Sequence, residues 1–137
     1  MRARRGFDLL LAGTVWGAMA YLLGRRAFGA AIWPGLTAAP FIGLVVGSLL
    51  QTPFAISEGW RRSAIALASL YLAATLFGLA IGIGTWLGFT PGDRRFPSAL
   101  VGPLVGTWWG VTMTGFVLVL WPLCYATHRW LEWRDAQ

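Results

Sequence analysis

Residues 102–114 read GPLVGTWWGVTMT, and Gly102, Gly106, Gly110 and Thr114 fall on every fourth position. On a helix of 3.6 residues per turn that spacing makes one nearly smooth stripe, with Trp108 and Trp109 directed away from it. Small residues four apart let two backbones approach closely. In a bilayer, where lipid tails are as apolar as leucine, such packing must supply the attraction between helices. The stretch therefore predicts an α-helix built to dock on another helix inside a membrane.

The same spacing returns at Gly13 and Gly17, Gly43 and Gly47, and Gly78 and Gly82. Charge is absent between Arg26 and Glu58, between Arg62 and Asp93, and between Arg95 and Arg129. Each gap exceeds the roughly 20 residues that cross about 30 Å of hydrocarbon, and the run from Leu9 to Gly24 reaches that length if Phe7 and Asp8 sit at its edge. With 57% hydrophobic and 12% charged residues in 137, the chain reads as one all-α domain, an integral membrane four-helix bundle. The expected spans are 7–23, 36–56, 63–88 and 99–127, with short connections and an interfacial tail at 128–137. Pro34 and Gly35 signal a turn, and Pro103 and Pro122 predict bends in the last helix. A re-entrant dip over 27–40 is the less favoured alternative.

The formal net charge of +6 does not point to nucleic acid, because the arginines come as separated pairs and not as a basic face with interleaved aromatics. Four crossings put Arg2, Arg4, Arg5, Arg61, Arg62, Arg129 and Arg134 on one side and Arg25, Arg26, Arg94 and Arg95 on the other. Seven against four places both termini in the cytoplasm by the positive-inside rule. The expected location is a bacterial cytoplasmic membrane. Arg4-Arg5-Gly6-Phe7 has the look of a twin-arginine export signal, with Ala18-Met19-Ala20 as a cleavage site. Arg-Arg recurs at 25, 61 and 94, so the pair reads better as an interface anchor. Asp8 is expected to pair within the first helix with Arg4 or Arg5.

Chemistry is sparse in the sequence. All five carboxylates fall at expected ends or connections, which leaves no carboxylate relay across the membrane. Gln51 and Thr114 are the candidate intramembrane polar contact, if helices two and four pack stripe to stripe. Cys124 and His128 share a helical face, but two ligands do not complete a metal site. His128 is expected at the interface, paired with Glu132 four residues on. Trp16, Trp108 and Trp109 fall within the apolar runs, where their indole donors need acceptors from the chain, a partner or a lipid-like molecule. No nucleophile with a base, phosphate loop or paired carboxylates is visible, so no cofactor and no catalysis are expected.

The expected role is structural or accessory: a multi-pass protein that packs in the lipid bilayer with a membrane-protein partner or with itself. The packing residues are Gly13, Gly17, Gly43, Gly47, Gly78, Gly82, Gly102, Gly106 and Gly110. A second reading is an oligomeric channel for a neutral solute lined by Ser48, Gln51 and Thr114. The third is a lipid-headgroup enzyme using His128 and Glu132.

Overall fold

The computed structural model describes residues 2–92 and 94–137; Asp93, in the expected polar turn after the third helix, lies outside them. The described residues form five α-helices and no strand: α1 (Arg2–Phe28), α2 (Trp33–Ile56), α3 (Trp60–Trp86), α4 (Ser98–Met113) and α5 (Val117–Asp135). Two continuous segments, Ala3–Ile56 and Trp60–Trp86, are long and apolar enough to cross a membrane. Bent pair α4 and α5 makes a third if counted as one span.

The first segment is a hairpin. A 3-10 turn over Gly29–Ile32 reverses the chain, with Gly29 at φ +55°, a value that suits a residue without Cβ. Contacts then run in opposite order along the two helices: Leu9 against Gly47, Gly13 against Gly43, Gly17 against Ala39. The seam is too tight for side chains. A Cβ on Gly13 would stand 2.5 Å from the Ala39 carbonyl oxygen, and one on Gly43 would stand 2.5 Å from the Gly13 Cα.

α2 and α3 form the next antiparallel pair, where Gly35 lies under the Phe77 ring and Gly84 under Pro34. Arg62 closes their connection, donating from Nε to the Phe54 carbonyl at 3.1 Å and lying over the Phe54 ring. α4 returns along α3, with Gly78 against the Leu104 backbone and Gly82 against Ala99 and Leu100. α2, α3 and α4 thus each pack on the helix before them, and between α1 and α4 the bundle stays open.

The last expected helix is not one rod. α4 ends at Met113, and α5 departs from its axis by 96°. The break is at Gly115, whose φ of +77° is not helical. Pro103 and Pro122, expected to mark the bends, lie inside α4 and α5. A proline removes one donor while keeping a helical φ; a left-handed glycine turns the chain away. The expected tail is also corrected, since 128–135 continue α5 and bury His128 and Leu131.

α5 crosses the bundle at the end where α1 and α3 begin and α2 and α4 finish. Leu120, Cys124, His128 and Leu131 recur at helical spacing on its buried face. Its other face, including Leu118, Val119, Leu123 and Trp133, is exposed and apolar.

Candidate functional site

The densest polar chemistry lies where α5 meets α2 and α3. Gln51 Nε2 donates to the His128 carbonyl at 3.1 Å, and His128 Nδ1 lies 2.7 Å from Gln51 Oε1. A carbonyl can only accept, so it fixes the amide nitrogen on its own side and leaves Oε1 to accept from the ring. The proton of the imidazole therefore sits on Nδ1. Nε2 faces Ser69 Oγ at 2.8 Å, and the Ser69 hydroxyl is also 2.9 Å from the Ile65 carbonyl. Gln51 and Ser69 are each 1% exposed and His128 is 4% exposed. Phe54 stacks on the imidazole, with centroids 4.7 Å apart.

Serine, histidine and an orienting side chain in hydrogen-bond sequence are the parts of an activated nucleophile. Acyl transfer also draws on donors placed for the negative charge of its intermediate, usually the largest catalytic contribution. Ser69 sits in mid-helix, where its backbone neighbours are committed to α3. The indole of Trp16, on the same side of the bundle, donates to Thr127 Oγ1 at 3.0 Å. The cluster is built as a latch: it satisfies polar groups on three helices and holds α5 across them.

Two ion-pair systems flank it. Asp8, 2% exposed, accepts from Arg134 Nη2 at 3.0 Å, so this carboxylate pairs with the far end of the chain and not with Arg4 or Arg5. Depth decides that choice, because a buried carboxylate needs a fixed partner and α5 delivers one. Glu132 joins Arg62 at 2.6 Å and Arg129 at 3.0 Å, which corrects its expected pairing with His128. Local spacing had offered Cys124 and Glu132 as neighbours of His128. Its hydrogen-bond partners lie 77 and 59 residues away.

Gln51 and Thr114 are not brought together. α2 meets α1, α3 and α5, and Thr114 Oγ1 donates to the Gly110 carbonyl of its own helix. Ser48 is exposed on the outside of α2. Within one chain the three residues therefore share no path. Trp16 finds its acceptor in Thr127, and Trp108 finds one in Thr75 Oγ1 at 2.9 Å. Among the described residues no three of His, Cys, Asp and Glu lie together as a metal site would need.

The second feature is a cavity of about 320 Å³ in the open side between α1 and α4, with α3 behind it and α5 beneath. Gly106, Gly110 and Thr114 of the opening stripe face it. The stripe does not pack on this chain as expected. A Cβ on Gly102 or Gly110 would meet nothing within 4 Å, and one on Gly106 would meet only the Phe28 ring, at 4.0 Å. Gly102 continues instead onto the outer face of α4, beside exposed Val105, Trp109 and Met113. No family model, curated protein or solved structure matches the chain.

Proposed function

We propose that this chain is a small multi-pass protein of a bacterial cytoplasmic membrane, with a non-catalytic role in assembly. It crosses four times, through α1, α2, α3 and the α4–α5 pair, with both termini in the cytoplasm. Its working surface is the outer face of α4, where Gly102 lies bare among Val105, Trp109 and Met113 and offers close approach to a helix of a partner subunit or of a second copy. The observation that carries this reading is the bare edge itself: Gly102 has nothing within 4 Å of where a side chain would begin. The polar cluster supports it too, since its groups are spent on one another.

Gly102→Ile tests the reading, because isoleucine there disturbs nothing within the chain yet spoils close approach from outside. Native electrophoresis in mild detergent is expected to show wild type in a larger assembly and the variant released from it, with unchanged thermal unfolding. A lone monomer before and after substitution removes the proposal. An alkyl fluorophosphonate is expected to leave Ser69 unlabelled, and labelling abolished by Ser69→Ala would replace the non-catalytic role with a hydrolytic one.

A further inference from the structure

We infer that the cavity between α1 and α4 holds one acyl chain of an anionic phospholipid from the leaflet opposite the termini. The inference rests on the membrane reading above but uses the inner side of α4, not the outer docking face.

Three features select the occupant. The first is the floor. α5 leaves the foot of α4 at Val117 and reaches α1 through Thr127, bonded to Trp16, and Arg134, paired with Asp8. It spans the opening, so a helix that crosses the bilayer cannot run through the cavity. An occupant must end above α5. The α1 lining runs from Leu9 to Phe28, and the part above the Trp16–Thr127 contact with α5 is 12 positions, about 18 Å at 1.5 Å per residue. Half of a hydrocarbon core is about 15 Å, so the depth suits a single leaflet.

The second feature is the wall. The cavity contains Thr107, Thr114, Thr127, Ser69 and His128 among otherwise apolar side chains. Each of the five is engaged: the three threonines on carbonyls one turn back, Ser69 and His128 on each other. A ligand carrying polar groups would lose its water and find them unmatched. A hydrocarbon chain loses nothing.

The third is the mouth. Arg25 and Arg26 stand in the last turn of α1, and Arg94 and Arg95 follow in the α3–α4 connection, against Asp93 as the one acidic residue in those two connections of the sequence. Positive charge at the end of the bundle where α1 finishes and α4 begins matches a phosphate headgroup with its chain in the dry pocket below.

Native mass spectrometry of the full chain, released from vesicles of equal phosphatidylglycerol and phosphatidylcholine, tests this. Wild type is expected to retain one phosphatidylglycerol per chain. Gly110→Leu, which places an isobutyl group in the cavity from a position with free space around it, is expected to abolish retention. Ala73→Leu fills the same space from α3 as a second variant. Arg26→Gln is expected to lower the preference for phosphatidylglycerol about fivefold. Wild type without retained lipid, or retention indifferent to both leucine variants, overturns the inference. So does an intermolecular disulfide formed by Gly110→Cys, which would give the cavity to a second copy. Retention with equal preference for the two lipids overturns the headgroup assignment. Loss of the assembly in Gly102→Ile with lipid still bound separates this site from the docking face.

Discussion

The α1–α2 seam and the α4 edge carry the same signature, glycines four apart in an apolar run, and use it in opposite ways. At Gly13 and Gly43 two backbones meet so closely that neither position admits a Cβ. At Gly102 and Gly110 the positions are empty. The difference lies not in the glycines but in the turn at the end of each helix. After α1 a tight turn lays α2 straight back along it. After α4, Gly115 sends α5 sideways across the bundle, and the latch at Gln51, Ser69 and His128 keeps it there. Small-residue spacing states that close approach is allowed; the turns decide whether the chain itself takes it up.

The largest effect that tests this contrast is at the seam. Gly43→Leu is expected to cost about 3 kcal/mol or more, measured by steric trapping in bicelles, because the colliding atoms are backbone and cannot step aside. A loss below about 1 kcal/mol would mean the seam is looser than described. Next is the latch. Gln51→Leu leaves the Nδ1 proton of His128 buried without an acceptor, at a cost of about 2 kcal/mol. Adding His128→Leu should recover part of that loss. Simple additivity in the double variant would show that the two side chains are not coupled.

Gly115→Ala forces an L-residue into left-handed backbone and is expected to cost about 1 kcal/mol. It should also protect α5 amides less in hydrogen exchange while leaving the α1–α2 seam protected. Equal loss in both regions would show that the hinge is not a separate device. The smallest effect is at the open edge. Gly102→Ala is expected to raise stability by up to about 1 kcal/mol, since it gains helix propensity and touches nothing. A destabilised Gly102→Ala would reveal a contact on that face within the chain.

Much of the architecture was legible before any coordinates. Long charge-free runs located the helices, because burial of apolar length acts locally, but the first reversal falls at Gly29–Ile32 and not at Pro34-Gly35, which form the first turn of α2, where a proline gives up no helical hydrogen bond. The last helix was misread because proline draws attention as a breaker, yet Pro103 and Pro122 stay helical. Gly115 could have been noted as the glycine outside any four-residue stripe in that run. The latch was half visible: Leu120, Cys124, His128 and Leu131 form a buried-type stripe, and Gln51 was the one amide in an apolar helix. Joining them requires knowing that α5 folds across α2 and α3. That is a property of topology, and no spacing within one helix encodes it.

The right-angle hinge at Gly115 also changes how the molecule would sit in a bilayer. α1, α2 and α3 have 27, 24 and 27 residues, about 36 to 41 Å each, whereas α4 has 16, about 24 Å. One flank is therefore shorter than the hydrocarbon it faces, and the opposite flank is longer. Lipid against α4 must thin to meet it, at a fraction of a kcal/mol for each ångström. The chain is a wedge in thickness, with its pinched rim beside α4.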